Sequence, residues 1–375
     1  MGSQRKVPAD GGGGEGVRLE SYEDVRALLR SPDTRQGGFA VEQAETLPRK
    51  MRRPVLWRDG PEHREDRRQT ARFFTARRVE SSYREMMARV ADEQCALLRR
   101  AGRADVADLS FALAVAVAAE VVGLVPAKPG MAKRLQRFFD DPRVDPDDKL
   151  RSLYARVRAA VSLAGFYLAD VRPVVRARRR QRRDDLVSHL VDQGCTGGEI
   201  LGEALTFGAA GMITTREFIV VAVWHLLTDD ELRARWDAGD RAARTAILQE
   251  ILRLEPVART VHRVTTAEVR VGGRTIPAGT KVAASLTAAN VDPAAVGPDP
   301  ERVCPGRAVE SALSFGDGPH RCPGAHVALQ ESEIFLSRLL VLPGLRMAAP
   351  PAVRIRSEIE AYELSGLILT VDRAV

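Results

Sequence analysis

The stretch Ser314-Phe315-Gly316-Asp317-Gly318-Pro319-His320-Arg321-Cys322-Pro323-Gly324, continuing as Ala325-His326-Val327-Ala328-Leu329, decides how the rest of the chain is read. Gly316, Gly318 and Pro319 exclude a regular helix or strand there. The backbone must form a tight loop, and the loop ends in a cysteine. Beyond Gly324, the apolar residues Val327, Leu329, Ile334, Leu336, Leu339 and Leu340, with Glu331 and Glu333 among them, predict a long buried helix. Cys322 therefore stands just ahead of a helix N-terminus, where free N–H groups and the helix dipole favour thiolate over thiol. A thiolate presented by a glycine loop calls for an electrophile or a metal.

Phe315, Gly316, Gly318, His320, Cys322 and Gly324 fill every specified position of F-G-x-G-x-H-x-C-x-G. This pattern resembles the heme-ligand loop of the cytochrome P450 family, the heme-thiolate monooxygenases. The resemblance implies that Cys322 is the axial ligand of heme b (iron protoporphyrin IX), an arrangement that pushes electron density toward O–O cleavage. It also implies heme contacts from Phe315, Gly324 and Ala328, and a propionate contact from His320.

Composition agrees with a helical globule. The chain has 375 residues, 45% hydrophobic but only 5% aromatic, so its core must be built from Ala, Val and Leu. Four cysteines, Cys95, Cys195, Cys304 and Cys322, form neither a disulfide framework nor a paired zinc motif. The formal charge is 57 − 50 = +7, yet nothing resembles a nucleic-acid recognition module. The basic run Arg176 to Arg183 reads as a solvated helix end or loop. A basic face near the cysteine loop would suit an acidic electron-donor protein. No apolar run approaches a membrane span; the best, Phe111 to Val125, is interrupted by Glu120. With no signal-peptide pattern, the expected location is cytoplasmic and the expectation is no membrane.

Residues 1–16 read as a flexible, glycine-rich tail whose G-x-G-x-x-G has no strand before it. Ser21 caps a helix through Leu29, and residues 32–59 read as irregular. In Asp59-Gly60-Pro61-Glu62-His63-Arg64-Glu65-Asp66-Arg67, His63 and Arg67 share one helical face. The segment resembles the family's D-P-P-E-H-x-x-x-R, which implies that His63 and Arg67 hold the heme propionates. Tyr83 to Leu190 reads as helix after helix, with Ala112 to Val125 buried all round. His189 reads as a surface or packing histidine.

Leu201 to Leu227 is the longest helical pattern, with Ala210-Gly211-Met212-Ile213-Thr214-Thr215 at its middle. It resembles the family's distal helix, A-G-x-(Asp/Glu)-T-T, in which the glycine lets the helix bulge beside bound oxygen and an acid–alcohol pair relays protons. The resemblance makes Gly211 and Thr214 the catalytic positions. It breaks at Ile213, which stands where the acid belongs and cannot carry a proton. Glu217, four residues on, could substitute through water. Otherwise the substrate supplies the proton path, peroxide replaces dioxygen and reductant, or the reaction is oxidative coupling; an ordinary hydroxylase that tolerates the change remains a further reading.

Glu250-Ile251-Leu252-Arg253 matches the family's E-x-x-R, with Arg307, ahead of Arg302, as the third member of a buried cluster. Arg263 resembles a third propionate ligand, with His262 a competitor. Val269-Arg270-Val271, Gly272-Gly273 and Thr275 to Thr280 read as a β-hairpin region. Cys304 reads as a loop cysteine and not as a ligand.

The expected fold is mainly α: a single cytochrome P450 catalytic domain over 17–375 with a small β-rich region, and heme between the Leu201–Leu227 helix and the Cys322 loop. The expected function is monooxygenation of a small organic, secondary-metabolite-like substrate, free or tethered to a carrier protein. No flavin or nicotinamide motif is present, so electrons would come from a ferredoxin and ferredoxin reductase, or from peroxide. A competing reading is a heme protein that binds a ligand without turnover.

Overall fold

The computed structural model describes residue 6, residues 16–38, residue 41, and residues 52–125, 130–139, 149–307, 312–356 and 361–373. Apart from Lys6 and Gly16, the expected 1–16 tail lies outside these residues, as do 39–40 and 42–51 of the stretch expected to be irregular.

Helix Gly197–Thr228 forms the spine. A reciprocal capping box starts it: the Thr196 side chain accepts from the Glu199 N–H, and the Glu199 carboxylate accepts from the Thr196 N–H at 2.7 Å. Helix Val106–Val122 runs against it, capped by Asp105 and ended at left-handed Gly123. The latter is built from alanine and valine, so the two backbones approach closely with little side-chain entropy lost. Among the described residues, Gly197–Thr228 alone is long and apolar enough to cross a membrane, which corrects the choice of Phe111 to Val125 as the best candidate. Phe218 to Val223 is buried without interruption, as in the central helix of a globular core.

Helix Ala325–Leu339, which follows the cysteine loop, packs against the spine, against Arg84–Ala101 and against Arg241–Leu254. These helices enclose the main hydrophobic core. A second, smaller core joins helix Tyr22–Arg30, capped by Ser21, to a four-stranded sheet in the order Val17–Leu19, Lys281–Ser285, Thr260–Thr265, Thr34–Gln36. Only the first pairing is parallel. The expected hairpin is present: Val269–Val271 pairs antiparallel with Arg274–Ile276, and Gly272 and Gly273 take φ of 60° and 69°, as a tight primed turn requires.

Several readings of the sequence need correction. The stretch 32–59, expected to be irregular, contains the strand Thr34–Gln36, which pairs with Thr260–Thr265, and the 3-10 turn Val55–Trp57. The helical stretch from Tyr83 to Leu190 contains the strand Arg103–Asp105, which exists because Ile368–Thr370 pairs with it. The basic run at 176–183 is not wholly solvated either. Arg178 is buried, with its guanidinium on the Asp185 carboxylate and on the Gly123 carbonyl at 3.1 Å. A helix end that docks on a neighbour buries whichever residue faces inward, and here a carboxylate and a C-cap carbonyl satisfy that residue.

The E-x-x-R reading is realised. Glu250 and Arg253 are buried and joined at 2.7 Å, Arg307 reaches Glu250 at 3.5 Å, and the Cys304 N–H donates to Glu250 at 2.9 Å. Arg302 contributes only its carbonyl, which accepts from Arg253 at 2.9 Å. Truncating one member of a buried ion cluster strands the others without solvation. Glu250→Ala is therefore expected to lower unfolding free energy by about 3–5 kcal/mol in urea titrations. A loss below about 1 kcal/mol, the range of exposed pairs, would show that the cluster is not a structural anchor.

Candidate active site

The cysteine loop is held from behind by the second core. Asp317 accepts from the Gly318 N–H at 2.7 Å and pairs with Arg30 at 2.8 Å and Arg26 at 3.1 Å, both from helix Tyr22–Arg30. Burial would raise the Asp317 carboxyl, but these donors outweigh it and hold the group below its usual range. Gly316 and Gly318 adopt φ of 68° and 65°. A Cβ on Gly318 would lie 2.3 Å from the Leu29 carbonyl oxygen, so only glycine lets the loop seat on that helix. Gly318–His320 forms a single 3-10 turn, and the Cys322 N–H then donates to the Phe315 carbonyl at 2.8 Å, closing the loop. Gly324 is the N-cap of the following helix without any side-chain cap; its carbonyl accepts from the Ala328 N–H at 2.9 Å.

The Cys322 side chain is surrounded by protein yet keeps an accessible surface. Burial pushes its thiol above the ordinary range, and the Gly324 N–H and the charges of Arg67 and Arg321 only partly offset this. The thiolate preference inferred from the helix N-terminus is thus outweighed by desolvation in the protein alone. A coordinated metal cation reverses the balance, because a ligating thiol is deprotonated outright.

Four of the residues picked from the sequence meet beside this loop. His63 stands on helix Gly60–Thr70 and is 2% exposed; its ring stacks on His320 with centroids 4.2 Å apart. The His320 Nε2 meets Asp59 at 2.8 Å, and Asp59 also accepts from the Gln36 N–H at 3.0 Å. Arg67, one turn beyond His63, donates to the Arg321 carbonyl next to Cys322. Arg263, on strand Thr260–Thr265, is buried and donates to the Gln36 side chain and to the His262 carbonyl. Of the two candidates there, Arg263 is the one that joins the cluster, while His262 lies against Gly38.

Charge in this cluster is unbalanced. Among the described residues of this cluster, two guanidiniums and two imidazoles face one carboxylate, Asp59, which His320 and the Gln36 N–H keep low against burial. Burial, opposed by Asp59, brings Arg263 down to about 10, and burial lowers Arg67 as well. His63 is driven down to about 4 by burial and by the neighbouring His320 and Arg67, and its Nδ1 is a buried polar atom with no partner among the described residues. Such a constellation is completed by a bound anion with more than one acceptor oxygen.

On the far side, Thr214 and Gly211 lie on the spine helix. A Cβ on Gly211 would meet nothing within 4 Å, so the helix borders open space there. The helix stays α through this turn and does not bulge; instead the Thr214 hydroxyl donates to the Ala210 carbonyl one turn back. Glu217 does not serve the turn. It is buried, accepts from the Leu364 N–H at 2.6 Å and lies 3.2 Å from Arg216, so the C-terminal strand Ala361–Ser365 has claimed it. Helical spacing put it on the right azimuth, and only the docking of that strand decides what it meets.

Sequence reasoning missed Gln36 and the role of Asp59. Asp59 stood inside the quoted motif, whereas Gln36 carries no signal until the sheet brings it to Arg263. Cys304 stands at a turn, with its N–H donating to Glu250 at 2.9 Å. His189 tilts against Phe73 with centroids 6.2 Å apart, a packing contact.

The cluster predicts a pH effect of definite sign. An ordinary imidazole titrates near 6.5 and His63 in the folded protein near about 4, so the unfolded chain binds the extra proton first. The contribution of His63 to the stability of the heme-free protein is therefore complete above pH 6.5 and is lost as pH drops toward 4. Unfolding titrations of His63→Gln should show a shallower loss across that window; an unchanged slope would remove His63 as its source.

A family model described as Cytochrome P450 matches residues 243–342. The mycinamicin IV hydroxylase/epoxidase of Micromonospora griseorubida is 32% identical over 351 residues, covering 90% of this chain and 85% of the relative. The erythromycin C-12 hydroxylase of Saccharopolyspora erythraea is 33% identical over 334 residues, covering 85% and 80%. Among solved structures, CYP105P1 in complex with filipin I superposes with a TM-score of 0.78 at 29% identity, covering 96% of this chain and 90% of that one.

Proposed function

The chain belongs to the cytochrome P450 family, and from that premise we propose that it oxidises a small secondary metabolite at a heme held between the spine helix and the Cys322 loop. The activity is monooxygenation and the cofactor is heme b. Hydroxylases and epoxidases of secondary metabolites among the relatives support the substrate class.

One observation carries the assignment of residues: an accessible cysteine at the end of a glycine loop, beside a buried cluster with surplus positive charge. The residues present fit heme. Cys322 would ligate the iron, and His63, Arg67, Arg263 and His320 would hold the two propionates, whose charges Asp59 alone cannot supply. The unpartnered Nδ1 of His63 would then gain an acceptor. Phe315, Gly324 and Ala328 would shape the thiolate side, and Gly324 donates its N–H to the sulfur. When bound, heme supplies dioxygen activation. The chain's own residues bind and orient it, keep water from the thiolate and present Thr214 and Gly211 on the opposite side. The catalytic domain is taken as 17–375.

Electrons would come from a ferredoxin and its reductase, docking where Arg321 is exposed beside Cys322. A second reading is favoured by one feature: with Ile213 at the acid position and Glu217 tied to Leu364, hydrogen abstraction without oxygen insertion, or peroxide-driven oxidation, would need less of the missing relay. The expression compartment consistent with this reading is the cytoplasm, and the substrate is free or carrier-tethered.

The carbon monoxide difference spectrum of the reduced protein tests the ligand. A thiolate-type Soret shift in the parent, abolished in Cys322→Ala, is the expected result; a histidine-type spectrum would overturn the assignment. Arg263→Ala and His63→Ala should each weaken heme retention without changing the spectral type, as measured by heme transfer to apomyoglobin.

A further inference from the structure

Arg263 is held in place by a strand that carries no motif. Gln36, on Thr34–Gln36, stands directly opposite Arg263 on the antiparallel strand Thr260–Thr265, so the two side chains share one face of the sheet. The Arg263 guanidinium donates to the Gln36 side-chain carbonyl and, at 3.0 Å, to the His262 carbonyl. The Gln36 N–H donates to one oxygen of Asp59 at 3.0 Å, and the other oxygen meets His320 Nε2 at 2.8 Å. The register is fixed one residue further on. There the Gly37 N–H donates to the His262 carbonyl at 3.2 Å, and a Cβ on Gly37 would lie 2.9 Å from the Val264 side chain and 3.0 Å from the Arg263 carbonyl carbon. One buried residue thus holds Arg263 by its amide and His320 by way of Asp59.

The kind of acceptor matters. Arg178 and Arg253, which are also buried, are bonded to the carboxylates of Asp185 and Glu250, and their charges are cancelled where they stand. Arg263 is bonded instead to an amide and a peptide carbonyl, and Arg67 to the Arg321 carbonyl. Asp59 acts on Arg263 by its charge, but its oxygens are taken by His320 and the Gln36 N–H. A neutral acceptor fixes the direction of a guanidinium and leaves its charge for another anion. A glutamate at position 36 would have the same length and would neutralise Arg263 outright. A buried guanidinium without a full counter-charge is unfavourable in the protein alone, so the arrangement is completed only when an anion arrives.

We propose that Gln36 is a positioning residue for the cofactor, its neutral amide aiming Arg263 at a heme propionate while leaving the guanidinium charge uncancelled; this rests on the heme-thiolate reading above. Gln36 touches none of the reacting atoms. Its influence runs through Arg263, whose charge offsets a propionate carboxylate. A carboxylate left without that offset would favour the ferric over the ferrous iron and would be held less tightly by the protein. Aim and charge are therefore separable contributions of one contact, and two substitutions at position 36 tell them apart.

Gln36→Glu and Gln36→Met both keep the side-chain length and the backbone N–H on Asp59, and both are measured on heme-loaded protein. Gln36→Glu should lose heme to apomyoglobin roughly tenfold faster or more, and its reduction potential, titrated spectroelectrochemically, should fall below the parent's. Gln36→Met should also release heme faster, by roughly fivefold, at the parent's potential, because the charge survives and only its aim is lost. In an Arg263→Ala background Gln36→Met should add nothing further. Unchanged heme retention in either variant, equal potentials in the two variants (a packing role), or a full Gln36→Met effect without Arg263 would overturn the proposal. The carbon monoxide difference spectrum of the reduced parent separates the two readings. A parent without heme or without a thiolate-type Soret band sinks the earlier reading and this one with it, whereas a properly loaded parent with indifferent variants sinks this one alone.

Discussion

The Glu250 carboxylate, buried and surrounded by donors, is the constraint from which the thiolate side of the molecule is built. It holds Arg253 and Arg307 and the Cys304 N–H, and Arg253 passes the restraint on by donating to the carbonyls of Asn290, Pro300 and Arg302. Asn290 in turn accepts from the Leu313 N–H at 2.7 Å and donates to the Ser314 hydroxyl at 2.8 Å. Ser314 donates to the Leu252 carbonyl at 2.7 Å, which returns the chain of bonds to the helix carrying Glu250. The cysteine loop thus starts from a position fixed by a closed circuit of buried polar groups. Low local dielectric makes each of those bonds strong and its omission costly, so the loop is rigid where it begins.

The other end of the loop is set by an independent device, the seating of Gly318 on the Leu29 carbonyl with Asp317 under Arg26 and Arg30. Cys322 is therefore positioned by two separate parts of the fold, the main helical core and the smaller core around helix Tyr22–Arg30. That division explains why helix Tyr22–Arg30 matters to a site nearly three hundred residues further along the chain. It also explains the surplus of positive charge. His63 and Arg67 come from one helix, and His320 and Arg263 from two other elements; Arg67 is held by a backbone carbonyl, Arg263 by the Gln36 side chain and the His262 carbonyl, and His320 by the Asp59 carboxylate. Burial, joined for His63 by the charges of His320 and Arg67, leaves them with lowered basicity, which a di-anionic group relieves on binding.

The distal helix shows the opposite economy. Its glycine and its two threonines lie on a run that stays α-helical, and the Thr214 hydroxyl turns back on its own helix. A polar group that would otherwise serve the open side is drawn into the scaffold: Glu217 caps a strand edge. The acid chemistry of this site thus depends on which helix faces are claimed by neighbours, a matter of packing.

Local chemistry in the chain was enough to establish the loop, its cysteine, the helix after it, the Ser21 cap and the Gly272-Gly273 hairpin. Each follows from a residue's own conformational limits or from spacing along one element, so few neighbours are needed to read it. The pairing of Glu250 with Arg253 belongs to the same class, since three residues on a helix bring the charges together. What the chain alone left open was most of the contacts made between distant segments. The burial of Arg178, the strand at Arg103–Asp105 and Gln36 under Arg263 all depend on which surfaces meet. The desolvation that raises Cys322 and lowers His63 is likewise a property of the assembled interior. Sequence spacing sets the direction in which a side chain leaves its helix, and only tertiary packing decides whether water, a cation or a bare hydroxyl waits there.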